Sequence, residues 1–431
     1  MKTGDKVRIE TKDGRFFSGI LMPSTNNHII SLKLYSGYNI GLDKKKIKSS
    51  KVLDSSADKY SKPKIQIKFN NQLKTISILH CGGTFASKVS YKTGAVAPGF
   101  SPEEIISMFP EIKDLVNIKS KFVGNLFSED IRFAHFNFIA KEIEKELNRG
   151  VDGIIVTHGT DNLALSSCAL AFILENLDKP VIFVGAQRSS DRPSSDAAFN
   201  IISAINFIIK SNFNEVGICM HSSSDDSKCF ILPACKSKKL HTSRRDAFRS
   251  VNSQPIAEIT NNSEVCFLKE YKKREYNDKL KLKLFNEKLK IGILRSHPNM
   301  FASEVKSFSK FNGLVIEGSG LGHFPVNVVD SKTKEHSLIL NELKKLAKKI
   351  PVVISSNCVF GRVNLNVYDT GRKMQDVGII GNFSDMITET AFIKLAWLLS
   401  NYKKLEIKDL FMKNFRGELS SRNEFEKEFI I

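Results

Sequence analysis

The sequence contains no run of 18 or more apolar residues, which excludes an apolar helix long enough to cross a membrane. Its first ten residues, Met1 to Glu10, are charged and alternating and lack the apolar stretch of a secretory leader, so the expected compartment is the cytoplasm. Cysteine is sparse, at positions 81, 168, 219, 229, 235, 266 and 358. The number is odd and no Cys-x-x-Cys pair occurs, which argues against a disulfide framework or a thiolate zinc site and fits reduced thiols. Neither Gly-x-x-x-x-Gly-Lys-Ser/Thr nor His-Glu-x-x-His is present, so no phosphate-cradling loop and no zinc-protease helix is read from the chain. Short internal repeats and low-complexity tracts are also missing.

What is present is a globular composition. The 431 residues are too many for one ordinary core and suit two or three domains. Apolar residues make up 41% and charged residues 26%. Lys and Arg number 65 against 46 Asp and Glu, a net charge of +19. Such a field favours polyanions, with nucleic acid the first candidate. The alternative is a compositional bias, because the excess is scattered lysine beside abundant Asn and Ile.

The patterning changes along the chain. Val7 to Glu10 alternates, Asp13-Gly14 signals a hairpin turn, and strands are expected at Phe16 to Leu21, His28 to Leu34 and Tyr38 to Gly41. Residues 51 to 70 are polar and read as a linker. From Thr75 onward, apolar strands ending at His80, His158 and Gly185 alternate with helical patterns over Phe133 to Leu147 and Leu163 to Leu174. That alternation predicts a parallel, doubly wound α/β sheet, whose ligands sit beyond the carboxyl ends of the strands. A charged stretch, 268 to 288, precedes a second series of strands at Ile291 to Leu294, Gly313 to Gly318 and Pro351 to Ser356, with a helix over Thr388 to Ser400.

Four segments near strand ends are rich in reactive groups: Gly82-Gly83-Thr84, with Tyr91 beyond it; Phe127-Ser128-Glu129-Asp130, read as ending another strand; Thr157-His158-Gly159-Thr160-Asp161; and Lys236-Ser237-Lys238-Lys239. A double glycine lets backbone N–H groups approach a ligand. A threonine hydroxyl needs a base or a lysine beside it to act as a nucleophile. Each segment also has a plain structural reading. Thr160-Asp161 suits a helix cap, Lys239 a solvated basic face, Tyr91 a core aromatic and Ser128 a turn.

Gly82-Gly83-Thr84, Thr157-His158-Gly159-Thr160-Asp161 and the later Lys239 together resemble the amidohydrolases of the L-asparaginase type. Three further segments narrow the resemblance to one branch: Gly185 to Asp196, His241 to Phe248 and Gly361 to Tyr368. The branch is the D subunits of archaeal glutamyl-tRNA(Gln) amidotransferases. The N-terminal β module fits it, and ordinary asparaginases lack such a domain. The resemblance implies two asparaginase-like doubly wound α/β domains at 73–275 and 276–431. A small SH3-like β-barrel would precede them at 1–52, with a linker at 53–72.

By the same resemblance Thr84 is the nucleophile for the side-chain amide of glutamine, and Tyr91, on a mobile lid, orients it or helps to deprotonate it. Thr160, Asp161 and Lys239 form a second hydroxyl–carboxylate–lysine group that places the proton and activates water. The Thr160 N–H is a candidate oxyanion donor. Gly83 and Gly159 line the substrate, Ser128 holds its α-carboxylate, and Glu129 and Asp161 hold its α-ammonium. No cofactor and no metal is implied for this chain. Its implied partner is the amidotransferase E subunit, which binds tRNA(Gln) and uses ATP with Mg²⁺, in a heterotetramer built on a homodimer of the present chain. Two alternatives are a free-standing cytoplasmic L-asparaginase and a non-catalytic tRNA- or protein-binding scaffold. Phe85 after the nucleophile and Cys81 before the glycines depart from the family pattern.

Overall fold

The computed structural model describes residues 1–24, 27–34, 39–54, 69–83, 88–89, 96–97, 102–188, 194–271 and 279–423. The N-terminal residues form an antiparallel sheet in the order Asn39–Asp43, Ile29–Leu34, Phe16–Met22, Lys6–Thr11, Ile47–Asp54. Alternation drives it, since Val7 and Ile9 are buried while Lys6 before them and Arg8 between them face solvent. The four strands expected from the pattern are present. The fifth, Ile47–Asp54, corrects the reading of positions after 50 as linker. Its residues are almost all exposed, so its own sequence carries no core signal. Pairing with Lys6–Thr11 holds it there, and register shifts at both ends of that pairing bend the strands.

The next unit is an eight-stranded sheet. Its order is Val265–Phe267, Ala257–Thr260, Lys228–Pro233, Val216–His221, Val181–Val184, Gly153–Thr157, Thr75–His80, Asn117–Phe122. The five strands from Val216–His221 to Asn117–Phe122 run parallel. The other three pair antiparallel, so the sheet is mixed and not parallel throughout as expected. For Lys228–Pro233 the cause is the connection: the loop 222–227 is too short for a crossover and permits only a hairpin.

Helices cover both faces. Thr75–His80 and Gly153–Thr157 are buried at every position, which is why they read as continuous apolar runs. Leu79, Val156 and Phe183 pack with the helices Phe133–Asn148 and Leu163–Ile173. Ile78, Ile155 and Ile182 pack on the other face with the helix Ala197–Lys210.

The C-terminal half repeats the scheme on three parallel strands, Ile291–Arg295, Gly313–Gly318 and Val352–Ser356. The helix Glu335–Lys349 covers one face of this sheet and Thr388–Asn401 the other. Trp397 of the latter is fully buried, with its ring centroid 5.2 Å from that of Phe172. The two α/β units therefore share one core. Among the described residues, no helix is long and apolar enough to cross a membrane.

Candidate active site

Two strand ends of the eight-stranded sheet and one loop meet at one place. The chain leaves Thr75–His80 through Gly82 and Gly83, at φ +105° and +80°, a region that side-chain-bearing residues rarely adopt. Both glycines are required by close approach as well. A Cβ on Gly82 would lie 2.3 Å from the Leu126 carbonyl oxygen, and one on Gly83 2.5 Å from the Gly159 nitrogen. Gly159 in turn lies against Ser128, where an added Cβ would be 3.0 Å from the Ser128 Cβ. Asn162 closes the group by donating from Nδ2 to the Ser128 carbonyl at 2.8 Å. Gly83, Gly159 and Ser128, predicted separately, are thus brought together.

Ser128 is buried, in a 3₁₀ turn spanning Ser128–Asp130. This corrects its expected place at a strand end: the strand Asn117–Phe122 stops well before it, and the turn follows a loop. Glu129 beside it is exposed.

The second constellation lies after the strand Gly153–Thr157. Thr160 and Asp161 occupy the turn before the helix Leu163–Ile173. Lys239 arrives from the short strand Ser237–Lys239, which pairs with Phe248–Ser250. Its Nζ donates to Thr160 Oγ1 at 2.9 Å and lies 2.7 Å from Asp161 Oδ1. The Lys239 side chain is 12% exposed and that of Asp161 70% exposed. A cation, a hydroxyl and a carboxylate held by the same ammonium, open on the carboxylate side, can hand a proton between a bound substrate and solvent. Thr84 and Tyr91 lie outside the described residues.

The neighbouring groups are quiet. His158 is buried, which pushes its imidazole pKa down to about 4, and its Nδ1 bonds the Gly159 carbonyl oxygen at 2.7 Å. The neutral ring packs beside Phe183 and braces the Gly159 backbone. His80 is likewise driven down to about 4 by burial, between Thr157 Oγ1 and Ser120 Oγ. Burial pushes the Cys81 thiol up to about 12, so Cys81 does not compete as a nucleophile. Among the described residues no three His, Cys, Asp or Glu side chains are grouped to hold a metal ion.

Sequence reasoning missed how the lysine segment is held. Lys236 and Lys238 do not belong to a solvated basic face. Lys236 is buried against Asp385, and Lys238 reaches Glu389 at 2.5 Å. The partners stand about 150 positions away in sequence, and no local signal announces them. Arg244 pairs with Asp246, and Arg245 with Asp226 and the Ser194 carbonyl.

Comparison with known proteins agrees with this architecture. Residues 1–53 match the GatD N-terminal domain, 75–272 the asparaginase N-terminal domain and 290–411 the glutaminase/asparaginase C-terminal domain. The thermostable L-asparaginase of Thermococcus kodakarensis superposes with a TM-score of 0.70 at 26% identity, covering 81% of this chain and 100% of that one. L-asparaginase I of Vibrio cholerae gives a TM-score of 0.69 at 26% identity, covering 81% and 99%. The D subunit of the glutamyl-tRNA(Gln) amidotransferase of Methanococcus maripaludis is 40% identical over 97% of this chain and 98% of its own length. That of Pyrococcus furiosus is 40% identical over 97% and 95%. The asparaginase neighbours cover about four-fifths of the chain, whereas these relatives also span the N-terminal sheet, and the chain belongs to the family of glutamyl-tRNA(Gln) amidotransferase D subunits.

Proposed function

We propose that the chain is the amide-hydrolysing subunit of a tRNA-dependent amidotransferase. It takes ammonia from the side-chain amide of glutamine, or of asparagine, and leaves glutamate or aspartate. The observation that carries the reading is the contact of Lys239 with Thr160 and Asp161, beside the glycine-lined meeting of Gly83, Gly159 and Ser128.

In this reading the Thr84 hydroxyl oxygen attacks the amide carbon and loses its proton to a neighbouring base, with Tyr91 orienting it. The carbonyl oxygen takes up the negative charge and is met by backbone N–H groups, that of Thr160 among them. The carbon–nitrogen bond then breaks, and the departing nitrogen takes a proton and leaves as ammonia. Lys239, left as the amine once its ammonium has protonated the departing nitrogen through Thr160, takes a proton from water by the same route; that water opens the threonine ester, the base returns its proton to the Thr84 oxygen, and the acid is freed. Ser128 faces the substrate α-carboxylate, while Glu129 and Asp161 face its α-ammonium, since a bound cation needs carboxylate partners.

The ammonia passes to the E subunit, where ATP and Mg²⁺ activate the glutamate on tRNA(Gln). The chain itself uses no cofactor. It works in the cytoplasm as a homodimer within a heterotetramer, and its net charge of +19 helps the complex hold tRNA. The test is ammonia release from glutamine and asparagine by the chain alone, then with the E subunit, Glu-tRNA(Gln) and ATP. Release that rises in the full mixture and is lost in Thr84→Ala supports the reading. Equal release from asparagine by the chain alone indicates a free asparaginase, and no release in any mixture indicates a scaffold.

A further inference from the structure

Lys236 is an unusual residue to find beside an active site it does not enter. Its side chain is 4% exposed and that of Asp385 1% exposed, and the two meet at 2.5 Å. The same ammonium donates to Ser420 Oγ at 2.8 Å and to the Asn252 carbonyl at 3.2 Å, so each of its three hydrogens has an acceptor. Asp385 Oδ1 accepts from the Ser420 amide at 3.1 Å. Asn252 bonds the Asp385 carbonyl and both backbone groups of Gly361. Arg362, the next residue, donates to Asn423 Oδ1 at 2.6 Å. The Gly361-Arg362 segment, singled out in the sequence but given no part in the chemistry, is therefore built into the seat of Lys236.

The position of this cluster matters because the chain runs from it straight to the site. Lys239 is three residues further on, at the end of a strand with only three residues of its own. The strand is also tied to the C-terminal half by Lys238 on Glu389, and the turn before it by Thr390 Oγ1 on the Cys235 carbonyl at 2.9 Å. Lys238 and Lys239 are adjacent in an extended strand and so point to opposite faces. One side of the segment is fixed on the C-terminal half, while the other presents Lys239 to Thr160 and Asp161.

Stability alone does not account for an ion pair here. Two well-packed apolar side chains in place of a buried pair hold such an interface as well or better. What they lack is direction, which an ammonium with three acceptors supplies. We propose that Lys236, with Asp385, Ser420 and Asn252, is a positioning residue for the reaction: it anchors the strand Ser237–Lys239 to the C-terminal half and sets where Lys239 Nζ lies. The inference rests on the amide-hydrolysis reading and on the place of Lys239 within it.

The test uses the full chain with the E subunit and two variants, K236M/D385L and the milder S420A. Both are checked for folding by melting temperature. In the double variant, kcat for ammonia release from glutamine falls about 10- to 100-fold with KM unchanged. Labelling of Lys239 by trinitrobenzenesulfonate, read by peptide mass spectrometry, rises in parallel. S420A, which removes one acceptor and no charge, changes both quantities in the same direction by a smaller factor. It serves in place of the double variant should that one not fold. A wild-type value of either kcat or Lys239 labelling in the folded variants overturns the proposal. If the wild-type complex releases no ammonia, the functional reading has failed. The labelling, which needs no turnover, still decides whether Lys236 holds Lys239.

Discussion

The N-terminal sheet and the α/β body are stabilised in different ways. The sheet has three fully buried apolar residues, Val7, Ile9 and Leu32, and its last strand is exposed along nearly its whole length. The body buries its central strands on both faces and joins its two halves through one core around Trp397 and Phe172. Small apolar cores give small stability, and preorganised chemistry needs rigid support. The described site residues accordingly all lie on the body, at strand ends and their turns. The difference makes the sheet an attachment and the body the machine.

The largest effect is expected where the strand ends of the body touch. Gly83→Val places side-chain carbon where the Gly159 backbone lies and forces a strained φ. Ammonia release is expected to fall at least about 100-fold, because misplacement of this order disrupts the aligned groups. The assay is turnover on a variant whose circular dichroism matches the wild type.

Trp397→Ala is next. It empties part of the shared core and is expected to cost about 3–5 kcal/mol in urea unfolding, with both α/β units weakened together. Separate transitions for the two units would contradict a common core.

Acid acts on the same body. His80 and His158 are held neutral by burial, with pKa values near 4 against 6.5 when unfolded. The unfolded chain therefore binds more protons as the pH falls. The stability these two residues give the folded state is complete above about pH 6.5. Each loses about 1.4 kcal/mol per pH unit between there and about pH 4. A melting temperature that stays level from about pH 7 to about pH 5 would contradict this burial.

The smallest effect on turnover belongs to the sheet. Leu32→Ala is expected to destabilise the N-terminal sheet by about 2 kcal/mol or more and to leave ammonia release by the body unchanged. Amide hydrogen exchange confined to residues 1–54 would report it. A matching fall in turnover would show that the sheet supports the site directly.

Legibility in sequence follows the same division. The parallel strands of the body announce themselves because burial on both faces demands unbroken apolar runs, and their glycine-rich ends mark the site. Gly83, Ser128, Gly159, Thr160, Asp161 and Lys239 could all be named from the sequence, most of them from those ends. The antiparallel edge of the sheet was not legible. Lys228–Pro233 takes its direction from the tight connection 222–227, and Ala257–Thr260 is short and follows a long connection, so composition gives neither direction. Ile47–Asp54 was hidden because a strand with exposed side chains is specified by its neighbour's backbone. Lys236 was hidden for a third reason: three lysines within four positions look like a solvated face until distant Asp385 and Glu389 are brought to two of them.

The chemistry depends on Lys239, held against Thr160 and Asp161, taking part in proton transfer. The direct measurement is ammonia release from glutamine by Lys239→Met in the complex with the E subunit, at matched folding. A loss of at least about 100-fold in kcat is expected, the scale of a missing proton-transfer group. Release at the wild-type rate would contradict the assignment of Lys239.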